Sequence, residues 1–489
     1  MAQIGLFCLG TIGIFVLIEI PILYADFKFS YRDGLDSILV LLIGGIPIAM
    51  PTVLSVTLAV GAQQLAKHKA IVTRITAIEE LAGVTILCSD KTGTLTTNKL
   101  TIDRDTIRTY GPFTAEDVIL LAAYASRTEN QDAIDASVVQ AVGDPSRARA
   151  GIELLDFKPF NPVDKRTEIT YREESTGKLK RVTKGMTGII IELCTRNKSE
   201  ELEDRLEADV EEFATRGLRA LAVAYEELDG DDPEAEGNGF ELIGLLAIFD
   251  PPREDTKQTI EDALALGVKV KMVTGDQLAI AKETGRRLGL GDHMFPAKVL
   301  KDGPAPGGKY ATLDEMIMDA DGFAGVFPEH KYEIVKRLQG LGHLCAMTGD
   351  GANDAPALAR ANVGIAVEGA TDAARGAADI VLTEPGLSTI VHAIRGSRII
   401  FQRMRNYAIY ACAVTIRIVV CFAVLVFAYR FQFPPFMILV IALLNDGTIM
   451  TLSVDRVLPS MTPDSWDLME IFSYAIAYGL YLTLSTYVP

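Results

Sequence analysis

The sequence predicts an α/β body built on a parallel sheet, interrupted by a long insertion and mounted on an all-helical transmembrane bundle. Three observations point there. Apolar runs of membrane-spanning length sit at both ends of the 489-residue chain, while the charges concentrate in the middle. Three short apolar strands in that middle run into turns rich in Asp, Gly and Thr, at Asp90, Thr274 and Asp350. Between the first and second strand lies a stretch long enough to be a domain of its own.

A helix crosses the hydrocarbon core with about 20 apolar residues. Five stretches meet or approach that length: 3–24, 35–60, 407–429, 433–452 and 471 to the end. The first lacks a basic leading segment and a small-residue cleavage site, so it reads as a span and not as a signal peptide. Lys67, Lys69 and Arg74 follow the second span, and Arg395, Arg398, Arg403 and Arg405 precede the third. Both clusters mark the cytoplasmic side. The short links 25–34 and 430–432 then lie outside, and the large middle region faces the cytoplasm. The second span contains Gly44-Gly45-Ile46-Pro47-Ile48-Ala49-Met50-Pro51. Pro47 and Pro51 each remove a backbone donor and free nearby carbonyls, which predicts a helix unwound within the membrane. Broken helices at that depth form ion sites in transporters; a simple proline kink is the plainer alternative.

The middle region alternates strand and helix. An apolar strand at 85–88 leads into Ser89-Asp90-Lys91-Thr92-Gly93-Thr94, a second at 268–273 into Thr274-Gly275-Asp276, and a third at 344–347 into Thr348-Gly349-Asp350-Gly351-Ala352-Asn353-Asp354. Helical patterns cover 255–266, 277–288 and 331–341. In a parallel α/β sheet the chemistry gathers at the carboxyl ends of the strands, so Asp90, Thr274 and Asp350 are expected in one crevice. The insertion, 100–244, mixes helical stretches (115–126, 199–215) with strands (167–172, 179–183), and 229–239 reads as an acidic, glycine-containing surface loop.

Composition narrows the function. A net charge of −17 argues against nucleic acid as a partner, because that role needs a basic face. Six cysteines show no CxxC and no regular spacing, which fits a reducing compartment and no disulfide framework. Cys8, Cys412 and Cys421 fall in apolar runs as small hydrophobic filler.

Asp90-Lys91-Thr92-Gly93-Thr94, Thr274-Gly275-Asp276 and Thr348-Gly349-Asp350-Gly351-Ala352-Asn353-Asp354, in that order, resemble the signature of P-type ATPases on a haloacid-dehalogenase-like, Rossmann-like core. The resemblance covers essentially the whole chain. It implies phosphorylation of Asp90 by ATP, with Mg²⁺ held by Asp90, Asp350 and Asp354. It also makes Lys331 the lysine that contacts the transferring phosphoryl group, and Thr274 a hydroxyl donor to it. A carboxylate nucleophile splits hydrolysis into transfer and release, and transfer rests on positioning and electrostatic stabilisation. Simple phosphatases of the superfamily resemble Asp-x-Asp, the second aspartate acting as acid and base. Thr92 stands in that place, which implies an aspartyl phosphate that persists.

The insertion resembles the family's nucleotide-binding domain. In 156–167 Phe160 matches the phenylalanine that stacks on adenine, though core packing is the plain alternative for it. Lys184 and Arg219 match basic residues lining that pocket, Asp276 is placed with the nucleotide contacts, and Asp250-Pro251-Pro252-Arg253 resembles the hinge back to the phosphorylation domain. Where the family shows Lys-Gly-Ala-Pro, this chain has Lys184-Gly185-Met186-Thr187.

The spans decide the cargo. Hard cations such as calcium need several oxygen ligands and copper needs sulfur, whereas 47–51 offers neither carboxylate nor thiol. The later spans carry one conspicuous acid, Asp446, and one conspicuous base, Arg417. Either charge costs about 2.5–3.5 kcal/mol or more in mid-membrane, which marks both as functional; a structural ion pair is the alternative. A proton needs one site only. These spans resemble plasma-membrane proton ATPases of plants and fungi, notably at 445–451 and 459–466, and that resemblance implies Asp446 as proton carrier with Arg417 expelling the proton and blocking its return.

The corresponding domains are spans 1–61 (third and fourth of the family), stalk and first part of the phosphorylation domain 62–99, nucleotide domain 100–244, second part 245–394, and stalk with fifth to seventh spans 395–489. The family's actuator domain, first two spans, last three spans and regulatory tail have no counterpart here, so this chain alone is expected to turn over poorly. The expected function is ATP-driven proton export by a multi-pass plasma-membrane protein with cytoplasmic catalytic domains; ATP, the proton and the lipid bilayer are its partners. The competing readings are a P-type ATPase for another cation, a membrane-anchored phosphohydrolase, and a truncated partner of a full-length pump.

Overall fold

The computed structural model describes residues 2–488; Met1 and Pro489, which the first span domain and the last predicted span and domain include, lie outside the described residues. Two sheets carry the part of the chain between the apolar ends. The first has eight strands, and its centre is the apolar strand Ile86–Asp90, flanked by Lys269–Val273 and Cys345–Gly349, both parallel to it. Its residues Ile86, Leu87, Cys88 and Ser89 are buried, as continuous apolar strands covered by helices on both faces must be. The helices Thr256–Ala265, Leu278–Leu288 and Pro328–Gly340 agree with the expected ones to within a turn. Parallel strands joined by helical crossovers put the strand ends, and the turns behind them, on one edge.

The second sheet is antiparallel, ordered Thr101–Ile102, Glu241–Phe249, Arg219–Leu228, Leu179–Gly185, Arg166–Glu173 and Ile152–Lys158, with Arg108–Thr109 also on Glu241–Phe249. The insertion therefore ends at Phe249 and not at Gly244, because Glu241–Phe249 pairs along its length with Arg219–Leu228. Helices Ala115–Tyr124 and Ala133–Val142 cover one face of this sheet, and Glu200–Thr215 packs on the other. Where the chain leaves and re-enters the first sheet its two crossings are tied together: Thr96 Oγ1 donates to Asp250 Oδ2 at 2.6 Å, and the Asn98 N–H to Asp250 Oδ1 at 3.0 Å.

Among the described residues, five helical segments are long and apolar enough to cross a membrane: Ala2–Asp26, Tyr31–Lys67, Leu387–Tyr429, Pro435–Val454 and Leu468–Tyr487. The helix Leu387–Tyr429 runs unbroken for 43 residues, about 65 Å at 1.5 Å per residue, from beneath the first sheet into the bundle. The second span breaks where the prolines stand. One helix ends at Gly45, Ile46 is extended (φ −75°, ψ 123°), and another begins at Met50. The Gly45 carbonyl, which loses its helical partner, accepts instead from Thr415 Oγ1 at 2.8 Å. Further in, Gly61 allows that helix to lie against Ile400, whose side chain occupies the space a Cβ would need.

Candidate active site

Asp90 ends the central strand, and Val273 ends the neighbouring strand in register with it. The Asp90 N–H donates to Thr348 Oγ1 at 2.9 Å, which fixes the strand end to the strand on its other side. The chain then leaves the sheet through Thr92 and Gly93; Gly93 has φ +80°, a conformation that a side chain disfavours. A cleft of about 350 Å³ opens here, lined by Asp90, Thr92, Thr274, Lys331, Asp350 and Asp354 among others. The three strand ends thus meet as the sequence predicts.

Lys331 comes from the first turn of Pro328–Gly340 and bridges two carboxylates: Nζ is 2.7 Å from Asp90 Oδ1 and 3.1 Å from Asp354 Oδ1. Asp354 also accepts from the N–H groups of Asp350 and Gly351 at 3.2 and 3.3 Å, so this carboxylate shapes the turn that carries it. Burial pushes the Asp90 carboxyl up to about 6, against the pull of Lys331. Enclosure and the Asp354 charge raise Asp350. Burial opposes ionisation of Asp354 as well, but Lys331 and the two backbone donors outweigh it and hold that carboxyl low. Lys331 itself loses from burial and gains more from its two carboxylates, which hold it above the ordinary lysine value.

One oxygen each from Asp90, Asp350 and Asp354 lies within 4.8 Å of the others. Mg²⁺ takes oxygen ligands, keeps several waters and binds through one or two carboxylates plus phosphate oxygens. Two carboxyls raised chiefly by burial and further by neighbouring acids, with one lysine to offset three acids, are a donor set that such an ion fits.

The residues expected around the nucleotide are arranged differently. Asp276 is buried and its carboxylate is shared between Lys91 and Arg219; burial would raise it, but those two cations hold it below the usual carboxylate range. The Thr274 hydroxyl accepts from the Asp276 N–H at 3.1 Å. Arg253 donates to the Gly93 carbonyl at 2.8 Å and so braces the turn after Asp90. Lys184 does not line an open pocket: its Nζ is 2.6 Å from Asp135, both side chains only 3% exposed, since a buried ammonium needs a counter-charge. Phe160, in contrast, is 53% exposed, beyond the end of Ile152–Lys158, and is no part of the core.

Among the long apolar helices, a second cavity of about 430 Å³ is lined by Gly45, Pro47, Thr415, Arg417, Asn445 and Asp446 among others. Arg417 and Asp446 share this cavity, and among the described residues no ion pair joins them. Pro51 sits in the first turn of Met50–Lys67, off the cavity wall. Sequence reasoning gave no role to Thr348, Lys91 or Asp135. Thr348 and Lys91 lie inside quoted motifs, whereas nothing near Asp135 signals a partner 49 residues away.

A family model described as haloacid dehalogenase-like hydrolase matches residues 84–362, more than half of the chain. The match spans the Asp90 strand, the inserted sheet and the turn carrying Asp350 and Asp354; the five membrane-length helices fall outside it.

Proposed function

Since the chain belongs to the haloacid dehalogenase-like hydrolases, we propose that it is the catalytic and central membrane portion of a P-type ATPase that exports protons across the plasma membrane. Asp90 attacks the γ-phosphorus of ATP, an Asp90 Oδ–P bond forms, the bond to the β-phosphate oxygen breaks and ADP leaves; water later cleaves the aspartyl phosphate. Lys331 orients the attacking carboxylate and meets the charge that develops on the phosphoryl oxygens. Mg²⁺, held by Asp90, Asp350 and Asp354, would supply neutralisation of the nucleotide's charge when bound. Thr274 offers a hydroxyl to the same oxygens. Thr92, in place of a second aspartate, leaves the aspartyl phosphate without its own general base.

The observation that carries this reading is the pairing of two sites along one helix. Leu387–Tyr429 packs against Ala77–Ala82 and Thr256–Ala265, which flank the sheet that presents Asp90, and the same helix carries Arg417 to the cavity that Asp446 shares. A rigid element packed on both parts can bias both. Asp446 takes the proton, and Arg417 drives it outward; lifting one charge against 100 mV takes about 2.3 kcal/mol. For nucleotide binding, Phe160 is free to stack on adenine, while Arg219 and Asp276 would have to exchange their mutual contact for ATP.

Incubating the purified chain with ATP labelled on the γ-phosphate tests the reading. Acid-stable label on the wild type and none on Asp90→Asn is expected; equal labelling of both would overturn it, and label turned over within the mixing time would favour a plain phosphohydrolase. In a complete pump, Asp446→Asn is expected to abolish ATP-driven acidification.

A further inference from the structure

We propose that the inserted domain carries a binding site for a small organic ammonium ion at the end away from Phe160. A cleft of about 820 Å³ opens between helix Ala115–Tyr124 and the face of the second sheet. Its walls are aromatic. Tyr124 and Tyr171 meet edge to face with ring centres 5.2 Å apart, and Phe113 and Tyr225 likewise at 5.5 Å. All four rings border the cleft, and aromatic rings attract a cation that lies against them.

Three features set this cleft apart from a gap in the core. Tyr171 is 2% exposed, yet its hydroxyl has no hydrogen-bond partner among the described residues; nor do those of Tyr124 and Tyr225. None of these oxygens is sealed from solvent, and all three residues line the cleft, so their oxygens are open to a ligand. The rim charge is negative. Lys180 and Glu173 neutralise each other at 3.0 Å, and Asp117 and Glu174 remain. Glu174 is exposed and has no ion pair among the described residues. This sign repels nucleotides and favours a cation. The volume falls in the range of small-molecule sites. The cleft adjoins Ile152, at the opposite end of the strand from Lys158 and the Phe160 loop, about 20 Å away at 3.3 Å per residue. The site is therefore independent of the ATP reading.

Titration calorimetry on the full chain, in a detergent without choline head groups, tests this with choline against 3,3-dimethyl-1-butanol, its neutral isostere. Saturable choline binding is expected, at least about tenfold tighter than the isostere, as cation–ring attraction of that order requires. Tyr225→Leu and Glu174→Gln should each weaken it severalfold while leaving the thermal melt and Asp90 labelling unchanged. Equal binding of choline and isostere, no binding tighter than about 10 mM, or full affinity in both variants would overturn the proposal. Because Asp90 labelling is read separately, failure here leaves the ATPase reading standing, and the reverse.

Discussion

Lys331 Nζ lies 2.7 Å from Asp90 Oδ1, so the proposed nucleophile has a counter-charge before any nucleotide arrives. The same ammonium reaches Asp354. Replacing it by methionine keeps the helix and most of the packing but leaves three acids facing one another. Lys331→Met is expected to slow phosphorylation of Asp90 by about 100-fold or more, the usual loss of one aligned electrostatic donor. Rapid-quench labelling measures this, and an unchanged rate would remove Lys331 from the mechanism.

Metal binding should be visible without turnover. Mg²⁺ at about 100 times its dissociation constant stabilises the state that binds it by about 2.7 kcal/mol. Asp350 is raised by its enclosure and by Asp354, so removing its charge relieves repulsion in the metal-free protein. Asp350→Asn is therefore expected to melt no lower than wild type in chelator, and to lose most of the upward shift that Mg²⁺ gives the wild type. A variant that retains the full shift would rule Asp350 out as a ligand.

The Lys91–Asp276 pair predicts a pH dependence. Both side chains are 5% exposed, and Lys91 with Arg219 holds Asp276 below its usual value of 3.8 despite burial. A carboxyl whose folded-state value is depressed adds stability that is complete above its unfolded value and is lost as pH falls through the folded one. Asp276→Asn leaves Lys91 buried without its charge partner and should cost about 3 kcal/mol at pH 7. Because wild-type Asp276 also becomes neutral in acid, the gap between the two melts should narrow below pH 3.8. A gap of constant size from pH 7 to 3 would show that the charge is not what stabilises the site.

The parts that could be read from the chain are those in which local pattern and chemistry coincide. Ile86–Asp90 is a buried run ending in an acid, and Pro47 with Pro51 must interrupt a helix wherever it lies. Both stand where expected. Strands such as Arg219–Leu228 escaped because Ala220, Ala222 and Ala224 blur the alternation that marks a strand, and pairing with distant partners supplies what local propensity does not. The limit at Gly244 failed for the same reason. Lys184 was misjudged for another. Its contact with Asp135 joins a strand to a helix far away in sequence, and spacing carries no trace of it.

The link between the apolar helices and the first sheet rests on a second buried cation. Arg398 is fully buried on the long helix and donates to the Ser460 carbonyl at 3.1 Å and the Ala82 carbonyl at 3.4 Å. The segment 455–467 that it holds also bonds through the Asp464 N–H to Ala82 at 3.0 Å and through Trp466 Nε1 to Glu79. Removing the guanidinium leaves two carbonyls without a charged donor, at about 3 kcal/mol together, and the loss falls on the stretch between the Arg403 bond to the Asp455 carbonyl at 2.7 Å and the Gln402 bond to Asp464 at 3.0 Å. Arg398→Met should therefore loosen 455–467 without unfolding the protein. Trypsin reports this at Arg456, an exposed residue in that segment, where cleavage should quicken by at least about tenfold. Lys178 lies in a turn of the inserted sheet, and its cleavage should not change. Arg398→Lys, which can still reach one carbonyl, should fall between. Unaltered cleavage at Arg456 would mean that Arg398 does not hold the segment, and equal acceleration at Lys178 would mean that it acts on global stability instead.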